Sequence, residues 1–509
     1  LILFCHRFVK LNTVLKADTK IAIIGSGIAG MTAAIDLASK GYNVQVFEKN
    51  STHGGRGRAF EKEGFIFDMG PSWYWMPEVF DDFFKKHNED LKNYFQLIRL
   101  DPSYRIFFHD KIIDAPSQIE ETYQIFEDLE KGSSTFLKKF LNEAKYKYEV
   151  GMKEFVRKPA LSVWEYLDRR ILKSLLKLQM LKSIEKVINK GIKNPKLRSW
   201  LSFPVLFLGA KPADTPALYS LMNYADLVLG TWFPKGGMIK LFDAFYQLAL
   251  KKGVVFHFNT PVEKINILKN KVNSISIENQ SIEFDYVVAA ADYHHVEQSL
   301  LEKPHRQYSE RYWEKRAMAP GSLIFYIGLD IKAPNLLHHS LFFDADFEAH
   351  ADDIYVHKKW PEDPLFYVCA SSKTDTGVAP EGGENIFILM PIAAGIEDKE
   401  ELREEYFDII MSRMANKCGV DLRPHVVYKR SYCTDNFIAD YNSFKGNAYG
   451  LSNILRQTSL LKPRIRHKKI KNLFYAGQLS HPGPGLPPSM ISGEIAAQLI
   501  HEKIKANES

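Results

Sequence analysis

Ile21-Ala22-Ile23-Ile24-Gly25-Ser26-Gly27-Ile28-Ala29-Gly30, running on through Glu48 to His53-Gly54-Gly55-Arg56-Gly57-Arg58, is the stretch that decides the fold. An apolar strand, Ile21 to Ile24, enters a G-x-G-x-x-G turn, and a helix follows. Gly25 permits the tight turn, Gly27 lets the backbone approach a pyrophosphate, and Gly30 lets the helix pack close against the sheet. Ile28 and Ala29 open that helix, whose unpaired N–H groups and positive dipole end favour an anion. Ala33, Ala34 and Ala38 keep it near the strands. Val44 to Phe47 reads as a second strand. Glu48 at its tip, eighteen residues after Gly30, is placed to accept hydrogen bonds from a ribose and disfavours a 2′-phosphate. The expected ligand is a dinucleotide other than NADP.

The second glycine pair narrows the ligand. Gly54-Gly55-Arg56 resembles the Gly-Gly-Arg found a few residues past the acid in the two-dinucleotide-fold flavoproteins, and that resemblance implies FAD. Arg56 or Arg58 is expected to neutralise the pyrophosphate. The expected fold class is α/β, with a discontinuous Rossmann-like FAD-binding domain, an α+β substrate domain and a helical region.

The 509 residues suffice for two or more domains, and 45% apolar with 25% charged residues is ordinary globular composition. Cys5, Cys369, Cys418 and Cys433 form no C-x-x-C pair, which fits a reducing compartment and argues against a flavin disulfide reductase. The net charge of +6 is modest for this length, and neither nucleic acid nor a metal is expected as a partner. No apolar run reaches the roughly 18–20 residues that span a bilayer. Residues 1–19 read as an extension. From Arg169 to Lys193 eight basic residues face one acid, Glu185, with Leu172, Leu175, Leu176, Ile184, Val187 and Ile188 at helical spacing. Such a segment either lies on an anionic lipid surface or packs its apolar stripe on the core beneath a solvated lysine face.

The dinucleotide half is read over 20–110, 225–300 and 425–509, the helical region over 111–224 and a substrate-domain sheet over 301–424. Val254 to Phe258 reads as a strand continued by Thr260 to Ile265. Ser322–Leu329, Leu365–Ala370 and Asn385–Pro391 read as sheet strands facing a cavity. Leu473-Phe474-Tyr475-Ala476-Gly477-Gln478-Leu479-Ser480-His481-Pro482-Gly483-Pro484-Gly485-Leu486-Pro487-Pro488 is a strand running into a rigid proline–glycine loop, and a helix is expected from Ser489 to Ile504. Its N-terminus would stabilise negative charge on a reduced flavin.

Taken in order, the glycine-rich grip, Phe67-Asp68-Met69-Gly70-Pro71-Ser72, Trp232 to Met238, Ala379-Pro380-Glu381-Gly382 and the His481-Pro482-Gly483-Pro484-Gly485 loop resemble the bacterial phytoene desaturase (carotenoid desaturase) family. The chain departs from the family's Gly-Ala-Gly-Thr with Gly477-Gln478-Leu479-Ser480. The resemblance implies FAD held at both ends, with Val262 at the adenine and Gly477, Gln478 and Pro487 at the other end. It implies removal of hydride and proton from phytoene, a membrane-dissolved C40 carotene, toward lycopene, with oxygen or a quinone as final acceptor. Glu165, Asp168 and His481 are the acid–base candidates. Other readings stay open: another carotenoid or isoprenoid desaturase, an isomerase, a retinol saturase, or a non-catalytic lipid escort. A substrate dissolved in bilayers makes the Arg169–Lys193 stretch a docking element, and the expected location is cytoplasmic, on the inner face of the membrane.

Overall fold

The computed structural model describes residues 19–166, 178–206 and 209–508. Asp168 lies outside these residues, as do Arg169, Arg170, Lys173 and Lys177 of the basic stretch.

Five parallel strands form the dinucleotide sheet, in the order Leu473–Tyr475, Tyr286–Ala289, Lys20–Ile24, Asn43–Phe47 and Val255–His257. Their apolar runs are nearly continuous because both faces of a parallel sheet are covered. One face carries the helix Ile28–Ala38, which packs against the C-terminal helix Leu486–Glu508. A Cβ built on Gly493 would stand 2.3 Å from the Ala29 carbonyl oxygen, so the two helices meet backbone to backbone. The other face, with Ala22, Ile24, Val287 and Leu473, shares a core with Ile265 and Ile275. Those belong to an antiparallel sheet of Lys264–Leu268, Lys271–Ile277 and Gln280–Glu283. The expected run from Val254 through Ile265 is therefore two strands in two sheets. Asn259, at φ +51°, and Pro261 turn the chain between them.

The second large sheet has seven strands, in the order Val426–Tyr432, Gly321–Leu329, Glu384–Ile392, Phe366–Cys369, His339–Phe343, Tyr104–Phe108 and Ile112–Ala115. The three strands expected from the sequence are at its heart. Its edges come from residues that sequence alone grouped elsewhere. Alternation sorts its side chains. Leu323, Phe325, Phe366, Val368, Ile386 and Ile388 pack on Phe407, Ile410 and Met411 of the helix Glu400–Cys418. The intervening residues, including Ile324, Tyr326, Leu341 and Tyr367, turn to the interior shared with the dinucleotide half.

Helices Ile119–Leu129, Ser133–Val150, Ile184–Ile188 and Pro195–Leu206 make up the helical region. In the described part of the basic stretch, Ile184 and Ile188 are fully buried in the core while Lys182, Lys186, Lys190 and Lys193 are exposed. Over these residues the apolar stripe is core rather than an inserted face. Among the described residues no helix is long and apolar enough to cross a membrane.

Candidate functional site

A cavity of about 540 Å³ opens at the end of the parallel sheet where Ile24 gives way to Gly25. Gly25 has φ +101°, which only glycine adopts without strain. A Cβ on Gly30 would stand 2.1 Å from the Gly25 carbonyl oxygen, so Gly30 is required by the fold itself. A Cβ on Gly27 would meet nothing within 4 Å. Gly27 thus leaves open space on the cavity side, at the first turn formed by Ile28 and Ala29.

Glu48 is buried on the cavity wall with both oxygens engaged. The Ser26 N–H and hydroxyl donate to Oε2 at 2.8 and 2.9 Å, and the Asn50 N–H and amide to Oε1 at 2.9 and 3.0 Å. The acid therefore holds the glycine turn to the strand tip as well as facing the cavity. Gly54 and Gly55 run beside it: the Gly54 N–H donates to the Ser26 carbonyl at 3.0 Å, and a Cβ on Gly55 would crowd the Gly27 Cα at 3.1 Å.

The two arginines separate. Arg56 lines the cavity, donates to Ser443 Oγ at 3.1 Å and lies over the Tyr441 ring, while its Nε is buried without a partner. Arg58 does not line the cavity and is held by Asp440, at 2.9 Å. Only Arg56 is placed on the cavity. Asp292, unforeseen from the sequence, also lines it; burial raises its pKa, opposed by the charge of Arg56.

Val262, Gly477, Gln478 and Pro487 line the same cavity. The Gly477 N–H donates to Ser492 Oγ at 2.8 Å. The Gln478 amide is tied to Asn447, at 3.1 Å, so it braces the loop 447–450. The C-terminal helix begins at Leu486, three residues before the expected Ser489. Pro487 and Pro488 in its first turn carry no N–H, so its positive end acts through the dipole more than through a fan of donors.

The acid–base candidates stand apart from this cavity. Glu165 does not line it. Its carboxylate accepts the backbone N–H groups of Ala160, Leu161 and Ser162 at 2.9–3.0 Å, which holds a loop in shape. His481 opens the proline–glycine loop and is buried off the cavity, where desolvation, then the charge of Lys462, pushes its imidazole down to about 4. Asp168 lies outside the described residues.

Sequence reasoning expected sheet strands facing a cavity but did not name the side chains of this far wall. Ser72, Trp73, Tyr74 and Trp75 follow directly on the Gly70-Pro71 turn and line the cavity with Tyr367 and Leu389 of the seven-stranded sheet. The aromatic run after Gly70-Pro71 was a usable signal. Tyr367 and Leu389 gave none, because alternation within a strand does not say which face meets a site. A smaller apolar chamber, bounded by Phe203, Leu341, Phe343, Ile354 and Leu365, shares Tyr367, Leu389 and Tyr449 with the main cavity.

The chain matches the family model of flavin-containing amine oxidoreductases over residues 28–501. It is 37% identical to a carotenoid 3,4-desaturase of Haloarcula japonica, over 95% of this chain and 98% of that one. It is 30% identical to a zeta-carotene-forming phytoene desaturase of Myxococcus xanthus, over 94% and 93% respectively. The chain belongs to the carotenoid desaturase family. Among solved structures, an oxidoreductase from Methanosarcina mazei (TM-score 0.61, 15% identity, 94% of this chain and 100% of that one) and the cyclohexylamine oxidase of Brevibacterium oxydans (TM-score 0.58, 15% identity, 96% and 100%) share the desaturase's fold.

As a member of this family the desaturase is an FAD-dependent oxidoreductase acting on carbon–carbon bonds, and its site fits FAD. The open space at Gly27 admits a pyrophosphate, the buried unpartnered Nε of Arg56 offers a donor, and Glu48 stands at the strand tip for a ribose.

Proposed function

We propose that the protein desaturates a carotene, with phytoene converted toward lycopene as the first reading. The observation that carries it is the far wall of the cavity. Beyond the dinucleotide grip the lining turns to Trp73, Trp75, Met76, Phe80, Ile324 and Leu389, and an apolar chamber continues past Tyr367. A polyene has no polar group to bind, so such a wall can only enclose it and exclude water. FAD, when bound, supplies the hydride acceptor. The chain's own residues hold the carbon chain beside it, and catalysis rests on positioning more than on a triad.

A second reading is favoured by the higher likeness to the carotenoid 3,4-desaturase, 37% against 30%. In it the substrate is an already conjugated carotenoid. Expression in one host that accumulates phytoene and one that accumulates lycopene, followed by pigment chromatography, separates the two. Phytoene consumed supports the first reading; lycopene alone consumed supports the second. Neither consumed sinks both.

Membrane docking belongs to the same proposal, since a carotene is collected from a bilayer. Trp164 and Leu181 are 81% and 89% exposed on either side of residues 167–177, with Lys182, Lys186 and Lys190 exposed beyond them. Two exposed apolar side chains beside lysines suit the inner face of an anionic membrane. Replacing Trp164 and Leu181 with Ser is expected to lower sedimentation with anionic liposomes about tenfold; unchanged partitioning overturns the docking role. Oxygen or a quinone would reoxidise the flavin, and turnover measured without oxygen, with and without a quinone, distinguishes them.

A further inference from the structure

Removing hydride and a proton from adjacent carbons needs a proton acceptor on the cavity. Among the described residues the carboxylates that line it are Glu48, Asp292 and Asp440, and all are committed: Glu48 to the glycine turn, Asp292 to the N–H groups of His294, His295 and Phe444, and Asp440 to Arg58 and the Tyr432 hydroxyl. All three belong to the dinucleotide side. The wall from the seven-stranded sheet carries a different polar group. The Tyr367 hydroxyl lies 3.0 Å from Ser72 Oγ and 2.7 Å from His339 Nδ1, and both Ser72 and Tyr367 line the cavity.

His339 is wholly buried behind Tyr367. Its ring stacks on Trp73 at 4.2 Å and 11°, and its Nε2 has no hydrogen-bond partner. Burial, then the nearby His338, holds its pKa well below the ordinary value, so the resting imidazole is neutral and has a lone pair to offer. A weak base suffices here, because a C–H bond next to an allylic cation is strongly acidic.

We propose that Tyr367 takes the proton of the desaturation and relays it to His339, with Ser72 positioning the hydroxyl. The C–H bond beside the cationic carbon breaks, and its electron pair becomes the second bond of the new C=C. The proton goes to Tyr367 Oη as the phenol's own proton passes to His339 Nδ1, leaving an imidazolium. The hydride has gone to FAD, as the family's chemistry provides. The relay rests on the desaturation proposed above but not on which carotene is the substrate.

A metal centre is the competing use of this cluster, since His338, His339 and Cys369 place potential ligand atoms within 4.8 Å of one another. Tyr367 holds His339 Nδ1, the atom the relay uses, and the metal content of the purified protein decides between the two uses.

The experiment uses the full-length, FAD-loaded protein with phytoene, zeta-carotene and lycopene in liposomes, taking whichever the wild type desaturates. Tyr367→Phe and His339→Gln are compared by rapid-quench formation of the desaturated product in a single turnover, with substrate deuterated at the proton-losing carbon. Gln keeps a hydrogen bond to Tyr367 but takes no proton, so a merely structural role would survive that exchange. Both variants are expected to keep their FAD, to slow about 100-fold, and to show a larger isotope effect at that carbon. Ser72→Ala, which disturbs only the partner of the hydroxyl, is expected to slow about tenfold and stands in if either variant fails to fold. Wild-type rate and isotope effect in any folded variant overturn the relay alone. Stoichiometric metal in the wild type overturns it in favour of a metal centre. Turnover of none of the three carotenes overturns the proposed function and the relay with it.

Discussion

The two walls of the cavity are built in opposite ways. The glycine grip of the dinucleotide wall is local: Gly25, Gly27 and Glu48 line the cavity from one strand–helix–strand unit, with Gly30 packed behind them, and at Gly27 the approach is to bare backbone. The sheet wall is assembled by side chains from distant strands, with Ile324, Leu389 and Tyr367 standing in register across three of them. A wall of backbone tolerates no Cβ where a ligand must approach, whereas a wall of side chains can be recut one residue at a time.

The largest effects divide the first wall internally. Gly30→Val drives a side chain into the Gly25 carbonyl and is expected to cost more than about 4 kcal/mol, enough to abolish soluble protein. Gly27→Val projects into open space, so the apo fold is expected to survive by circular dichroism while FAD is lost. A Gly27 variant that still purifies with FAD breaks the assignment. Next come the two faces of the sheet wall. Ile388→Ala, on the side packed by the helix Glu400–Cys418, is expected to lower stability by about 2–5 kcal/mol and leave products unchanged. Leu389→Ala, one residue on, is expected to change which carotenes are consumed at unaltered FAD content. The same outcome for both would erase the distinction between faces.

A smaller, pH-dependent effect sits behind the proline–glycine loop. Lys462 is buried with Asn453 as a partner at 2.8 Å, and desolvation pushes its pKa from 10.5 down to about 7. Between those values the unfolded chain binds the extra proton, so stability should rise from pH 7 toward pH 10 and level off below pH 7, where both states carry it. Urea titrations of Lys462→Met are expected to lose that slope. The smallest effect is at Glu165: Glu165→Gln should lower stability by about 1 kcal/mol through its loop bonds and leave kcat within about twofold. A loss of turnover beyond about 100-fold would restore it as an acid–base group.

These differences also explain what the sequence disclosed. The glycine turn, its strands and Glu48 were legible because their physics is confined to neighbouring residues. Arg56 and Arg58 were not separable, because what distinguishes them is Asp440, 382 positions from Arg58. The three central strands of the second sheet were legible from apolar runs; its edge strands, short and half-polar, were not. Tyr367 and His339 are 28 positions apart and meet only because their strands pair, a fact of register that no local pattern records. Glu165 and His481 drew notice for their chemistry, but backbone partners hold Glu165 to its loop and His481 is buried off the cavity.

The strict alternation of the seven-stranded sheet also bears on how such an enzyme changes over time. Neighbouring residues such as Ile388 and Leu389 answer to separate demands, one to the helix behind and one to the chamber in front. A lineage can therefore drift along the chamber-facing positions toward a longer, shorter or more conjugated polyene without disturbing the scaffold, while the glycine turn stays frozen.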